Sequence, residues 1–385
     1  MAENRETLSR VKKRSRRIRQ KNTELNYTFL MITMALLGFG LVMVFSASSG
    51  YAHARNLGAS HYFARQLLIG GIGIVGMTIL AIIPYKFWYH KLVILLGTLV
   101  TFVLLVLVLF IGEKGGGAQR WINLGFFQLQ PSEIAKFITV VIMAKRLSVF
   151  NGDMKKYSSL VNMIAPAVIL AALVLAGDHL SGAVIIVIVG IVLVYAAGCK
   201  FRHLVYTGLV MLPFLAVAIL IKPYRIERVK SFLNPFADTQ GSGWQIIQSL
   251  YSIGSGGLFG LGLGQSRQKH GFLPEPHTDF IFSVICEELG FFGALLVILL
   301  FVFLVVTGFR IALTAPDKFS SLLVCGMISL IAVQVILNIG VVTAAIPCTG
   351  ITLPFFSYGG SALMVNLAEV GVILNVSRQI GKRRL

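Results

Sequence analysis

Ten long apolar runs, separated by short polar segments, make up most of this chain. Each run holds about 20 residues, the length that an α-helix needs to cross about 30 Å of hydrocarbon. A long polar stretch, 222–279, separates the seventh run from the eighth. The pattern predicts an all-α polytopic membrane protein of about ten transmembrane helices, with a long loop between helices 7 and 8. The runs lie near 25–47, 67–83, 91–111, 132–148, 160–176, 181–197, 204–221, 280–307, 319–345 and 358–376.

Composition agrees with a membrane protein. Of the 385 residues, 56% are hydrophobic and 13% are charged, whereas soluble domains carry about 25% charged residues. The first apolar run is long enough to span a bilayer, so we expect it to be kept as a helix and not cleaved as a signal peptide. The four cysteines show no spacing typical of a metal site or a disulfide framework, and we expect them to be small core residues.

The basic residues predict the orientation of the helices. With the N-terminus in the cytoplasm, the inner segments hold 23 of the 34 Lys and Arg residues and the short outer loops hold four. Because positive residues accumulate on the cytoplasmic side, both termini are predicted to be cytoplasmic. The predicted layout has basic tails at 1–24 and 377–385, a membrane domain at 25–376 and an extracytoplasmic loop at 222–279. Such tails typically contact anionic lipid, and no nucleic acid partner is predicted.

The long loop ends in Leu273-Pro-Glu-Pro-His-Thr-Asp279, directly before the eighth apolar run. This segment places two carboxylates, Glu275 and Asp279, and the imidazole of His277 at the mouth of a membrane helix. Ionisable groups at a bilayer boundary are costly, which indicates a functional site. The alternative is that Asp279 is a helix-start carboxylate stabilised by the helix dipole.

A second polar segment, Gln130-Pro-Ser-Glu-Ile-Ala-Lys136, begins the fourth apolar run. Glu133 and Lys136 are three residues apart and therefore share one face of the helix. They could form a simple intrahelical ion pair beside a capping acid. Because a lysine this deep in lipid needs polar surroundings, we favour a polar cavity that both residues line.

Three loops carry weaker signals. Asp178 and His179 fit an ordinary turn as well as a functional role. The cations of 222–235 fit either an interfacial helix or a site for diphosphate groups. The Gly-rich segment 241–264 lacks the βαβ context of a dinucleotide site, and a re-entrant or hairpin segment is predicted instead.

The end of the chain adds two features. The uncharged stretch 346–361 contains two prolines and is predicted to fold back onto the protein. Asn366 and Glu369 lie inside the tenth apolar run and need polar partners that the sequence does not identify.

Several of these segments together resemble the SEDS proteins (shape, elongation, division and sporulation), and the resemblance extends from about residue 25 to 376. The sequence of residues 349–355 is more similar to the division (FtsW) and sporulation (SpoVE) branches than to the elongation (RodA) branch. The segments that carry the resemblance are Arg120-Trp121, Gln130-Pro131-Ser132-Glu133 with Lys136, Arg225 to Gly264, Leu273 to Phe280, Glu287-Glu288-Leu289-Gly290, Gly350 to Phe355 and Ser357 to Ser361.

SEDS proteins polymerise lipid II into peptidoglycan. The resemblance therefore implies a lipid II-dependent glycosyltransferase in the bacterial cytoplasmic (inner) membrane, with both termini in the cytoplasm, acting in cell division or sporulation. It also implies a class B penicillin-binding transpeptidase as partner, together with other divisome or sporulation proteins.

The resemblance implies that Asp279 is the essential carboxylate and that Glu133 and Lys136 line the same cavity. Asp279 is the candidate general base for the acceptor hydroxyl, and a divalent cation (Mg²⁺ or Mn²⁺) held by Glu133 or Asp279 could help the diphosphate to depart. Many members read Gln-Pro-Asp-Leu-Gly where this chain has Gly177 to Gly182, so Glu133 is favoured over Asp178 as the partner acid. Candidate substrate-binding residues are Arg120, Trp121, Ser132, Arg225, Arg228, Lys269, Glu275, His277 and Ser357.

Two other functions stay open at this point. A transporter that flips lipid II would also need polar residues in a membrane cavity, although the chain shows no similarity between its halves and its acids cluster on one face. A non-catalytic scaffold of the division machinery would leave the outer charged cluster unexplained.

Overall fold

The computed structural model describes residues 25–115, 118–125, 127–237, 241 and 243–380. The long helices are α1 (Tyr27–Ala54), α2 (His61–Ile82), α3 (Lys91–Ile111), α4 (Pro131–Val149), α5 (Tyr157–Ala176), α6 (Leu180–Ala196), α7 (Phe201–Leu220), α10 (Ile281–Thr314), α11 (Lys318–Val342) and α12 (Gly360–Gln379). Two shorter helices, α8 (Pro223–Leu233) and α9 (Trp244–Ser255), lie between α7 and α10. The predicted fold class, a helical membrane protein, is confirmed.

Each predicted apolar run overlaps one of the long helices. Among the described residues, eight of these helices are long and apolar enough to cross a membrane. The other two are α6, which has 17 residues, and α4, which carries four charged side chains. The exact number of ten spans and the extracytoplasmic loop therefore stay predictions.

Several helices end beyond the predicted apolar runs. α1 continues to Ala54 instead of 47, α2 begins at His61 instead of 67, and α10 continues to Thr314 instead of 307. α12 continues to Gln379, into the predicted tail that was to begin at 377. Hydropathy marks the thickness of the membrane, whereas helical hydrogen bonding continues into polar residues at its surface. The predicted tails at 1–24 and, from 381 onward, at the C-terminus lie outside the described residues.

A small antiparallel sheet between α3 and α4 was not predicted. Its strands are β1 (Glu113–Gly115), β2 (Ala118–Asn123) and β3 (Gln128–Leu129), in the order β1-β2-β3. β2 carries Arg120 and the half-buried Trp121, and Trp121 lies opposite Glu113 on β1. The sheet therefore fixes the position of two candidate site residues.

The helices differ in how much surface they bury. α4, α11 and α12 bury most of their residues. α3 and α7 expose most of their apolar side chains, as lipid-facing helices do. α12 packs mainly against α2, and α11 packs against α10, α4 and α6. Polar groups on α4, α11 and α12 consequently lie in the interior of the bundle.

α10 is broken at Gly290, whose φ of 66° and ψ of −165° are not helical. Residues 256–264, the part of the Gly-rich segment that follows α9, pack against this break. The N–H of Leu261 donates to the carbonyl of Glu287 at 2.9 Å, and the N–H of Phe291 donates to the carbonyl of Gly257 at 2.9 Å. These bonds replace the helical hydrogen bonds that the break removes.

Candidate active site

Asp279 lies two residues before α10, and a side chain of α11 fixes its backbone. Nδ2 of Asn338 donates to the carbonyl of Asp279 at 2.9 Å and to the carbonyl of Ile351 at 2.7 Å. One amide thus joins the segment before α10 to the segment before α12.

The segment before α12 makes two further bonds to the same stretch. Oγ of Ser357 donates to the carbonyl of Thr278 at 2.6 Å. The N–H of Tyr358 donates to the carbonyl of His277 at 2.8 Å. Ser357 therefore stabilises the backbone beside Asp279. A contact between Ser357 and substrate stays a prediction.

Two arginines and a glutamate set the electrostatic surroundings of the Asp279 carboxyl group. Burial raises its pKa to about 6, and the charge of Glu275 adds to the rise, whereas Arg228 and Arg120 oppose it. Oδ2 of Asp279 lies 3.3 Å, and Nη1 of Arg120 3.8 Å, from the point where a Cβ on Gly350 would be. Gly350 has φ +68°, so both the backbone conformation and the approach of these groups favour glycine. A base with a pKa of about 6 is ionised at neutral pH and can still accept a proton.

Arg120 and Arg228 approach Asp279 from different elements. On β2, Nη2 and Nε of Arg120 donate to the carbonyl of Asp178 at 2.9 and 3.2 Å. On α8, Nη1 of Arg228 donates to the carbonyl of Cys348 at 3.2 Å. A guanidinium group has five N–H donors, so these contacts leave donors for phosphate oxygens.

Arg225 has a different setting from the other two arginines. Its side chain is buried, with Nη2 3.1 Å from Oδ1 of Asp178 and Nη1 donating to the carbonyl of Ala218 at 2.6 Å. Nζ of Lys222 lies 3.1 Å from the other carboxylate oxygen of Asp178. Asp178 therefore pairs with two cations of the outer loop. A diphosphate contact of Arg225 stays a prediction.

Glu133 and Lys136 form both structures that the sequence suggested. Oε2 of Glu133 lies 2.7 Å from Nζ of Lys136, and both side chains are buried. Nζ also donates to Oε1 of Gln334 on α11 at 3.0 Å. The pair lines a small cavity that His179 and Gly350 also line. Gly350, which lines this cavity, is also approached by Oδ2 of Asp279. That the pair and the candidate base belong to one site stays a prediction.

His179 connects this cavity to Ser132. Nδ1 of His179 lies 2.8 Å from Oγ of Ser132, and both residues are buried. Burial, reinforced by Arg120 and Lys136, lowers the pKa of His179 well below its usual value. The imidazole is therefore neutral at physiological pH, and it acts as a hydrogen-bonding group instead of a cation.

His277 lies in an aromatic cluster that the sequence did not indicate. Its ring centroid is 4.7 Å from those of both Tyr51 and Tyr62. Burial, followed by the charge of Arg55, lowers the pKa of His277 to about 4. The tyrosines come from α1 and α2, far from His277 in the chain, so no local pattern could have revealed the cluster. Glu275 is exposed, and its Oε2 accepts a hydrogen bond from Thr278 at 3.2 Å.

Lys269 has partners outside the surroundings of Asp279. Its buried Nζ lies 2.8 Å from Oε1 of Glu288 and donates to Oγ of Ser46 at 3.2 Å and to the carbonyl of Gly264 at 2.7 Å. These contacts join α1, the Gly-rich segment and α10 at the helix break. A role of Lys269 in binding substrate stays a prediction.

A divalent cation could bind the carboxylate of Asp279. Among the described residues, no group of three or more His, Cys, Asp and Glu side chains could hold a metal ion, and Glu133 is paired with Lys136. Mg²⁺ is commonly bound by one or two carboxylates, with water and substrate phosphates completing its coordination. Asp279 together with a diphosphate fits that arrangement.

Comparisons with known proteins agree with the motif resemblance. A family model described as cell cycle protein, for FtsW, RodA and SpoVE, matches residues 27–382. Stage V sporulation protein E of Bacillus subtilis is 45% identical over 366 residues, which are 93% of this chain and 98% of that protein. A probable peptidoglycan glycosyltransferase FtsW of Trichlorobacter lovleyi is 41% identical over 355 residues, which are 92% of this chain and 93% of that protein.

Solved structures share the fold over nearly the whole chain. A chain from a peptidoglycan synthase complex that coordinates polymerization and crosslinking matches with a TM-score of 0.76 and 29% identity, covering 93% of this chain and 98% of that chain. The rod shape determining protein RodA of Thermus thermophilus matches with a TM-score of 0.68 and 28% identity, covering 92% and 97%. Sequence and structure therefore point to the same group of proteins.

Proposed function

This chain belongs to the FtsW, RodA and SpoVE family of cell cycle proteins, and on that premise we propose that it polymerises lipid II with Asp279 as the general base. It is a peptidoglycan glycosyltransferase of cell division or sporulation. One relative is named a probable peptidoglycan glycosyltransferase, and another is named a stage V sporulation protein. The observation that supports Asp279 is that its Oδ2 and Nη1 of Arg120 both lie within 4 Å of one point beside Gly350, while burial raises the pKa of Asp279 to about 6. A carboxyl group with this pKa is both ionised and basic at neutral pH.

The proposed step joins two lipid-linked disaccharides. The 4-hydroxyl oxygen of an acceptor GlcNAc attacks the anomeric carbon of a donor MurNAc while Asp279 takes the hydroxyl proton. The bond between the anomeric carbon and the phosphate oxygen breaks, and the lipid diphosphate leaves with the electron pair. One C–O bond forms as another breaks, and the proton resides on Asp279 at the end of the step.

Arg120 and Arg228 would stabilise the negative charge of the departing diphosphate. Both guanidinium groups interact electrostatically with Asp279 and match phosphate oxygens in geometry. A divalent cation held near Asp279 would supply further positive charge for the departing diphosphate. Glu133 and Lys136, from the cavity that Gly350 also lines, and Ser132 would contact the sugars or the diphosphate.

We place this site on the outer face of the bacterial inner membrane, with both termini in the cytoplasm. The distribution of Lys and Arg supports that orientation. We also propose a class B penicillin-binding transpeptidase as partner. Its support is the fold similarity to a chain from a complex that coordinates polymerization and crosslinking.

The test is polymerisation of lipid II by the purified protein with its transpeptidase partner. Replacing a general base lowers the rate by roughly 10²–10⁴-fold, so Asp279→Asn is expected to lose at least about 100-fold. Asp153→Asn, an exposed carboxylate between α4 and α5, is the matched control and keeps wild-type rates. Near wild-type polymer from folded Asp279→Asn protein would contradict the assignment. A liposome assay that scores translocation of lipid II separately distinguishes a transporter.

A further inference from the structure

α12 carries two buried polar side chains that the proposed reaction does not use. Glu369 is 0% exposed and Asn366 is 1% exposed. Both carboxyl oxygens of Glu369 and both side-chain polar atoms of Asn366 have no hydrogen-bond partner among the described residues. Buried polar atoms are nearly always paired, so four such atoms one helical turn apart require an explanation.

The two residues lie deep in the bundle. Glu369 is the tenth residue of α12, so it lies about 14 Å along the helix from the outer end at 1.5 Å per residue. α12 packs against α2, α4 and α11. An ionisable side chain in this position indicates a functional site by default.

The charged groups around Glu369 are few. Lys136 and Glu133 of α4 interact with it electrostatically. Arg65 and Lys318 lie near the ends of α2 and α11, away from the middle of the bundle. α10 also contacts α12 and carries two acids. Glu288 is paired with Lys269, and Glu287 accepts hydrogen bonds from Ser252 and Ser266.

The local charges do not balance. Glu133 and Glu369 supply two carboxyl groups, and Lys136 supplies one ammonium group, which lies 2.7 Å from Glu133. A buried charge without a counter-charge strongly destabilises the folded state. The group therefore lacks one positive charge. The unpaired atoms that could bind a cation are the carboxylate oxygens of Glu369 and the amide oxygen of Asn366, and oxygen ligands suit hard cations.

We propose that Glu369 and Asn366 form a binding site for one monovalent positive charge, behind the Glu133–Lys136 pair. A sodium ion or a proton supplies that charge. A divalent ion would exceed the deficit by one charge and would be repelled by the Lys136 ammonium group. The site is separate from a divalent cation at Asp279, and its existence does not depend on the polymerase reaction.

The experiment measures the unfolding temperature of the purified full-length protein. One arm exchanges choline chloride for sodium chloride at constant pH and ionic strength. The other arm lowers the pH from 8 to 6 in choline chloride. A ligand that binds only the folded state stabilises it, and saturation is expected to raise the wild-type unfolding temperature by about 3 °C. A rise in the first arm identifies sodium, and a rise in the second arm alone identifies the proton.

Variants assign the effect to this site. Glu369→Gln keeps the shape of the side chain and is expected to lose the rise in both arms. Glu369→Leu removes the buried charge, and its unfolding temperature is expected to be independent of sodium and pH. Asn366→Leu is expected to show a weaker dependence on sodium and pH than the wild type. Glu227→Gln, an exposed carboxylate on α8, is the matched control that keeps the wild-type response.

Two results would overturn the proposal. One is a wild-type unfolding temperature that responds neither to sodium nor to pH. The other is a response that Glu369→Gln, Glu369→Leu and Asn366→Leu all retain in full. If no Glu369 variant folds, Asn366→Leu is the deciding variant. An unfolding temperature that responds to sodium or pH as in the wild type would then overturn the proposed site, which includes this amide.

Discussion

At the scale of single residues, the site depends on charges that come from different parts of the chain. Asp279 precedes α10, Arg120 lies on β2 and Arg228 lies on α8, yet both arginines act on the same carboxylate. Burial raises the pKa of Asp279 and the arginines lower it, so the value of about 6 is a balance of opposing effects. Neighbouring residues therefore control the basicity of Asp279.

His277 provides a check on which group titrates. Its pKa is lowered to about 4, so it is neutral throughout the range in which Asp279 loses its proton. We expect His277→Asn to leave the pH midpoint of the acid limb of kcat/KM unchanged, whatever it does to the rate. A displaced or missing acid limb in this variant would assign the titration to the imidazole instead.

Lys269 can be tested as a structural residue. Its Nζ is paired with the buried Glu288 at 2.8 Å, and removing one partner of a buried ion pair costs about 3–5 kcal/mol. We expect Lys269→Met to lower the unfolding temperature clearly. The double variant Lys269→Met with Glu288→Leu is expected to recover part of that loss, since it leaves no buried charge unpaired. A raised KM with an unchanged unfolding temperature would show that Lys269 binds substrate.

At the scale of elements, the break in α10 joins three parts of the protein. The Gly-rich segment approaches α10 so closely that a Cβ on Gly260 would lie 2.2 Å from the carbonyl oxygen of Glu288. Gly260 also has φ +81°. Both features leave room only for glycine at this position, which explains Gly260 without a bound nucleotide.

This packing predicts a contrast between two glycines. Gly260→Ala is expected to lower the unfolding temperature by several degrees, because the added Cβ meets backbone that cannot move aside. Gly254→Ala lies in α9 with open space around it and is expected to be neutral or stabilising, since alanine favours helix by about 0.5–1 kcal/mol. Equal unfolding temperatures for the two variants would contradict the close approach.

At the scale of the whole molecule, hydropathy predicted the positions of the long helices well, and the orientation that the charges predict stays a prediction. The apolar runs located the long helices because crossing a membrane imposes a length and a composition. The charged cavity around Glu133 and Lys136 was predictable because a buried lysine needs polar surroundings. The sequence did not predict the sheet that carries Arg120 or the tyrosines around His277, because both depend on contacts between distant segments. The partners of Lys269 were hidden for the same reason.

The predicted orientation can be checked with two exposed lysines. Lys230 lies on α8 in the predicted outer loop, and Lys155 lies between α4 and α5 on the predicted inner side. In cells without an outer permeability barrier, a membrane-impermeant maleimide is expected to label Lys230→Cys and not Lys155→Cys. The four native cysteines are buried, which keeps the background low. The reverse labelling pattern would place the candidate site in the cytoplasm.

The most direct test of the central claim is the pH dependence of kcat/KM for lipid II polymerisation in three proteins. Wild type is expected to lose activity as the pH falls through about 6, because protonated Asp279 cannot accept the hydroxyl proton. Glu275→Gln removes a negative charge that raises this pKa, so its acid limb moves to lower pH. Arg228→Gln removes a positive charge that lowers it, so its acid limb moves to higher pH. An acid limb at the same pH in all three proteins would contradict Asp279 as the general base.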